Sequence, residues 1–152
     1  MAESPAPAGF DDAVAQGATL LTGGERDGTF IRPAVLDRVT PDMRIYYEET
    51  FGPAACIVRA RDAEHALEIA NDSEYGLSGS IFTGDVTRAL DLAARWQTGA
   101  VHINGSTFGV ESQVPFGGVK YSGYGRFGGP ESIREFTDVQ LVTINRDQRY
   151  AI

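Results

Sequence analysis

One cysteine, two histidines and one lysine stand in a chain of 152 residues. A single thiol excludes an internal disulfide framework. Cys56, His65 and His102 lie at no spacing from which a zinc ligand set can be assembled, so no metal site is expected. Twelve of the 13 basic residues are Arg, the other is Lys120, and none of them clusters. With 21 acidic residues and a formal net charge of −8, the chain lacks the basic patch that nucleic acid or anionic lipid requires. Neither partner is expected. No apolar run approaches the roughly 20 residues of a membrane-spanning helix, and the opening "MAESPAPAGF" has neither the charged start nor the apolar core of a secretory signal. A cytoplasmic location is the resulting expectation.

What is present is the composition of a soluble globular protein. Hydrophobic residues make up 42 % and charged residues 22 %, enough apolar material at this length to bury the core of one ordinary domain. Residues 1–9, rich in Ala, Pro and Ser, are expected to form a flexible lead-in. "FDDAVAQGA" reads as a short helix ending at Gly17, and "TLL" as a strand closed by Gly23-Gly24. "TFIRPAVLDRV" is strand-like, with Pro33 favouring an edge or a bend because it lacks a ladder donor.

The middle alternates. "ACIVRA" reads as a short buried strand, and Asp62 is placed to cap a helix with Ala63, Ala66, Leu67, Ile69 and Ala70 on its apolar face. "GLSGSIFT" is a second strand, and Asp85 caps "VTRALDLAARWQ", where Val86, Ala89, Leu90, Ala93 and Trp96 recur at helical spacing. "AVHIN" makes a third strand. This order predicts an α/β fold, parallel strands with crossover helices. A short helix is expected from Pro130. The closing "TDVQLVTI" alternates as a strand without a neighbour in sequence, and so is expected to pair elsewhere, with another chain among the options.

Three motifs bear on chemistry. Gly123, Gly125 and Gly128 match the glycine pattern of dinucleotide sites, but that pattern has meaning only between a strand and a helix of a βαβ unit. Here it follows the polar "VKYS", which favours a structural loop with Arg126 tying it down. Cys56 as a nucleophile would need a cation or a helix N-terminus to lower its pKa, whereas "AACIVRA" favours core packing. Glu48 and Glu49 precede Phe51 in "YEETFGP". In an extended segment Glu49 and Phe51 fall on one side, and a carboxylate for vicinal hydroxyls beside a ring for a flat heterocycle would clamp a nucleoside. The residues alone leave this level with a solvated acidic turn.

"EETFGP", "ALEIANDSEYGLSGSIFT", "GAVHINGS", "PFGGVKYSGYGRFGG" and "EFTDV" together resemble the C-terminal part of NAD(P)-dependent aldehyde dehydrogenases, over about residues 10–144. The resemblance implies a cysteine thiolate that adds to the aldehyde, hydride transfer to the nicotinamide, and hydrolysis of the thioester by a glutamate-activated water. It implies that Glu49 holds the nicotinamide ribose hydroxyls and Phe51 packs beside the nicotinamide. Phe116 resembles the aromatic residue lining the substrate pocket, and Phe108 of the preceding loop is expected to line it too.

In that family the nucleophilic cysteine, the general-base glutamate and the dinucleotide-binding domain precede the matched segment. No catalytic residue is therefore assigned, Cys56 is not expected to be the catalytic thiol, and the isolated chain is expected to be inactive. The implied fold is a partial aldehyde dehydrogenase catalytic domain over residues 10–136, followed over 137–152 by an oligomerisation strand and tail. Thr50 departs from the aliphatic residue common at that position, and the Pro-rich start is unlike the helix expected there, which suggests an altered start or a fragment boundary. The cofactor is NAD or NADP, since the residues that discriminate them precede the match. "HINGST" with the glycine-rich segment looks most like members that oxidise benzaldehyde, salicylaldehyde or vanillin. An aldehyde substrate and a homo-oligomer, with self-association of the isolated chain, are the implied partners. The rival expectation is a non-catalytic module complementing dehydrogenase subunits through its last strand; a thiol hydrolase using Cys56 and His65 is a remote third.

Overall fold

The computed structural model describes residues 9–144 and 146. The chain divides into two compact units, one of residues up to Glu74 with Leu90–Trp96, the other of Tyr75–Ala89 and the residues from Gln97 onward. The lead-in expected over residues 1–9 lies, apart from Gly9, outside the described residues.

The first unit is organised around Leu36, whose side chain is fully buried. Helix α1 (Phe10–Ala15) puts Phe10 and Ala13 on one face, three residues apart, and they join Ala34, Val39, Met43 and Ile45 in the core. Strands β1 (Thr19–Thr22), β4 (Ala34–Asp37) and β5 (Ala54–Cys56) make one sheet with β4 central, antiparallel to β1 and parallel to β5. The run 29–39 is broken at Pro33, as its missing donor requires. Before the break, β3 (Phe30–Ile31) pairs with β2 (Arg26–Asp27) as a hairpin; after it, β4 enters the sheet. Helix α2 (Arg44–Tyr47) follows Met43, and Met43 and Ile45 anchor it to the core. Helix α3 (Ala63–Asn71) is capped as expected, the Asp62 carboxylate accepting the His65 N–H at 2.8 Å. None of its residues is fully buried, although Ala63, Leu67, Ile69 and Ala70 are partly covered.

One buried charge belongs to this sheet. Asp37, with 8 % of its side chain exposed, accepts bonds from Arg59 Nε and Nη2 at 3.1 and 2.5 Å and from the Arg38 N–H at 2.8 Å. The Arg59 hydrogen bond holds the carboxyl below its ordinary 3.8, against the opposing pull of desolvation. A depressed folded pKa contributes stability above the unfolded value, and that contribution is lost as the pH falls through the folded one. Asp37→Asn should therefore lower the urea midpoint at neutral pH, and its gap to the parent should narrow as the pH is taken below 3.8. An unchanged gap over that range would show that the charge is not what stabilises.

The second unit is built on β7 (Ser78–Ile81) and β8 (Ala100–Ile103), parallel and in register from Ser78 opposite Ala100 to Ile81 opposite Ile103. Helix α4 (Val86–Arg95) makes the crossover, its first turn capped by Asp85, which accepts the Arg88 N–H at 2.9 Å. Ala89 and Leu92 are its buried residues. Its C-terminal half clusters with the first unit, where Arg95 binds Glu64 at 2.6 and 3.0 Å and accepts Asn71 at its carbonyl. Short strands β6 (Tyr75–Gly76) and β9 (Val119–Lys120) pair antiparallel, and α5 (Gly129–Glu135) carries Pro130 in its first turn as expected.

Two expectations need correction. The three middle strands do not form one sheet: β7 and β8 pair across α4, whereas β5 is held by β4, with the Ala34 N–H on Pro53 and the Ile57 N–H on Leu36. Cys56 is exposed rather than core, because β5 is an edge strand of only three residues. Residues 137–144, expected to pair elsewhere, make no ladder among the described residues of this chain, and Val139, Leu141, Val142 and Ile144 are 69–102 % exposed, open to a partner strand. Alternation without a partner strand gives no sheet. Of the tail to 152, only Arg146 beyond that stretch is described.

Candidate functional site

The loop carrying Glu49 and Phe51 is pinned at both ends. On one side Met43 and Ile45 lie in the core; on the other the Pro53 carbonyl accepts the β4 N–H of Ala34 at 2.9 Å, after a Gly52 turn. Glu48 folds back on Arg44 through two bonds of 3.0 Å, with extended backbone at φ −79° and ψ 133°. Its carboxylate is already committed. Glu49 is exposed and, among the described residues, takes part in no hydrogen bond or ion pair. Phe51 is 94 % exposed. Burying such a ring is worth about 1.5–3 kcal/mol, a gain that the folded chain leaves unused at Phe51. Behind it Tyr46 meets Tyr47 edge to face at 4.7 Å and donates its hydroxyl to Asp72 at 2.9 Å. Desolvation and that carboxylate push the Tyr46 pKa up to about 12.

Phe108 and Phe116 belong to the second unit. Asn104, at the end of β8 with φ 55°, clasps Thr83 reciprocally, accepting its N–H at 2.8 Å and donating to its carbonyl at 2.9 Å. Ser80 Oγ donates to the Gly105 carbonyl at 2.8 Å. From this fixed base the loop carries Phe108 into solvent, 93 % exposed. Phe116 is half-buried and exchanges backbone bonds of 2.6 and 2.8 Å with Phe127.

The glycine-rich segment 115–130 is a structural knot. A Cβ on Gly128 would come within 2.0 Å of the Val114 carbonyl oxygen, and one on Gly99 within 1.7 Å of the Gly117 oxygen. At Gly128 and Gly99 glycine is required for backbones to touch. Arg126 does what the sequence suggested, donating Nη1 to the Gly118 and Gly125 carbonyls at 2.9 and 2.6 Å while its N–H meets Glu135 at 3.2 Å.

Cys56 has no charged group lowering its pKa. Though exposed, it has enough protein around it for desolvation to push the thiol up, away from nucleophilic character. Among the described residues no group of His, Cys, Asp and Glu could hold a metal, and no helix is long and apolar enough to cross a membrane. Glu49 and Phe51 thus share one loop of the first unit, and Phe108 and Phe116 frame a loop of the other. Sequence reasoning missed the Asn104–Thr83 clasp, and it missed a hollow beside Arg38, because both join residues distant along the chain.

Parallel strands joined by a crossover helix, with a free carboxylate and exposed rings on fixed loops, define an α/β chain. Residues 7–142 match the aldehyde dehydrogenase family, and the chain belongs to it. It is 51 % identical over 141 residues to the vanillin dehydrogenase of Pseudomonas fluorescens, covering 93 % of this chain and 29 % of that one. The crystal structure of a salicylaldehyde dehydrogenase from Pseudomonas putida G7, complexed with salicylaldehyde, superposes with TM-score 0.88 at 46 % identity, over 94 % of this chain and 30 % of that one. A Mycobacterium tuberculosis aldehyde dehydrogenase complexed with NAD+ gives 0.82 at 37 %, over 93 % and 30 %. The chain spans about three-tenths of the relatives it matches, and its fold is that of a partial aldehyde dehydrogenase catalytic domain.

Proposed function

We propose that this chain supplies the nicotinamide-contact loop and a wall of the substrate pocket of an aldehyde dehydrogenase that oxidises an aromatic aldehyde to its acid with NAD or NADP. The observation that carries this is the unpartnered Glu49 carboxylate two residues from the exposed Phe51 ring, on a loop fixed at both ends. The residues fit the cofactor: a free carboxylate accepts hydrogen bonds from two vicinal ribose hydroxyls, and a bare ring packs against a flat heterocycle. When bound, NAD or NADP supplies the hydride acceptor.

Glu49 orients the ribose, Phe51 fixes the plane beside it, and neither exchanges a proton. Phe116, held by its bridge to Phe127, and Phe108 pack against an aromatic substrate ring and exclude water from that side. This chain assigns no nucleophile or general base; the raised Cys56 pKa speaks against that thiol. The polypeptide alone is read as inactive. In the same reading residues 10–136 belong to the catalytic domain, and 137–144 form a strand that pairs between subunits of a homo-oligomer, which would cover Val139 and Leu141.

A chimaera tests this. Residues 10–144 replace the corresponding segment of the Pseudomonas putida salicylaldehyde dehydrogenase, and reduced-nicotinamide absorbance is followed with salicylaldehyde and vanillin. Turnover by the chimaera and none by the 152-residue chain is expected. A folded but inactive chimaera, alongside a chain that co-purifies with a discrete dehydrogenase subunit, would replace this reading with that of an assembly module. The exposed 139–144 segment is what favours that second reading.

A further inference from the structure

A hollow of about 390 Å³ opens in the first unit beside β4, α3 and the turn after β4, within the range of small-ligand sites. Three of the residues lining it carry nitrogen donors: Arg38, Arg59 and His65. Arg38 holds a left-handed backbone, φ 61°, a conformation unfavourable for a residue with a side chain. The Asp37 carboxylate, accepting its N–H at 2.8 Å, locks it there. Among the described residues the Arg38 guanidinium makes no hydrogen bond or ion pair, and its electrostatic neighbour is Asp37. Arg59 spends Nε and Nη2 on Asp37, which leaves Nη1. His65 Nδ1 accepts the Arg61 N–H at 3.2 Å, so the neutral ring carries its proton on Nε2.

The rest of the lining decides what kind of ligand these donors suit. Val39, Pro41, Val58 and Ile69 make apolar walls, Thr40 adds a hydroxyl, and no acidic residue lines the hollow. Asp37 is bonded to Arg59 and also lies within electrostatic reach of Arg38, so two guanidinia share that one carboxylate and the pair keeps net positive charge in a chain of net charge −8. A purely inorganic anion would leave the apolar walls wet, and a neutral ligand would leave the donors unmatched.

We propose that this hollow binds a small organic carboxylate with an apolar body, of the aryl or branched-alkyl class. The carboxylate meets Arg38 and Arg59 Nη1, and its body lies against Val58 and Ile69. The proposal is independent of the dehydrogenase reading, because every residue in it lies between 38 and 69 and none is a proposed cofactor or substrate contact.

The test is a titration of the isotope-labelled 152-residue chain with benzoate, followed by amide chemical shifts, with benzyl alcohol and inorganic phosphate as separate arms. Saturable shifts at 38–40, 58–59 and 65 are expected, with benzyl alcohol and phosphate each at least about tenfold weaker. Arg38→Gln should weaken benzoate about tenfold, the loss of one charged hydrogen-bond donor, while Arg61→Gln, outside the hollow, changes nothing. Should Arg38→Gln lose its dispersed spectrum, Thr40→Glu, at an exposed lining position, replaces it and should abolish the shifts. Shifts confined to other residues, equal binding of phosphate, or benzoate affinity unchanged by these variants would overturn the proposal.

Discussion

Glu49→Gln in the chimaeric dehydrogenase should lower kcat/KM for NAD by about tenfold to a hundredfold, with the KM for salicylaldehyde little changed. The magnitude follows from the charge: hydrogen bonds to an ionised group are worth about 1.5–3 kcal/mol each, and 1.4 kcal/mol is about a factor of ten. A carboxylate accepts from both ribose hydroxyls at once, whereas an amide turns one acceptor into a donor that faces a hydroxyl poorly. The neighbouring position supplies the control. Glu48 is occupied by Arg44 through two bonds of 3.0 Å, so Glu48→Gln should leave cofactor kinetics near the parent. If the two variants exchanged behaviour, the loop would present the other carboxylate and the proposed assignment would fail.

That contrast between adjacent glutamates shows where the sequence was legible. Residue chemistry alone left Glu49 and Phe51 level with a solvated turn; the matched motifs singled out the pair, and the folded loop adds that Glu48 is consumed locally while Glu49 is free. Local rules read well. The Asp62 and Asp85 caps, the break at Pro33 and the start of α5 follow from one or a few neighbouring residues. Exposure did not read well. "AACIVRA" has the apolar run of a buried strand, yet β5 is an edge strand and Cys56 is exposed. An apolar run states which residues can be buried, and the surrounding elements decide whether they are. The same holds for 137–144, whose alternation is plain and which pairs with no strand among the described residues. Long-range polar contacts were the least legible. Asn104 with Thr83, and Arg59 with Asp37, are separated by 21 and 22 residues, and no spacing rule joins them.

Gly99→Ala should destabilise the chain by roughly 3 kcal/mol or more, with the sign opposite to the usual expectation. Elsewhere a Gly→Ala change at a compatible backbone stabilises by about 0.4–1 kcal/mol, because it restricts the unfolded chain. Gly99 is not among the glycines with positive φ, so its backbone does not forbid a side chain. The obstacle is contact: the new Cβ would lie 1.7 Å from the Gly117 oxygen and 2.8 Å from its carbonyl carbon. Those are backbone atoms and cannot swing away as a flexible side chain would. Nor can the two segments part cheaply. The Gly99 N–H is bonded to the Gly76 oxygen at 3.1 Å, and Arg126 ties the neighbouring Gly118 carbonyl down at 2.9 Å. Overpacking of this kind costs about 1–3 kcal/mol where surroundings yield, and more where they do not. Gly84 is the internal reference, with no atom within 4 Å of its added Cβ and no positive φ. Urea midpoints followed by far-UV circular dichroism should place Gly84→Ala at or slightly above the parent and Gly99→Ala well below it. In the chimaera, Gly99→Ala should also lower aldehyde turnover, because Phe116 immediately precedes the displaced Gly117. Equal midpoints for the two variants would mean that the close approach of Gly99 to Gly117 does not fix this loop.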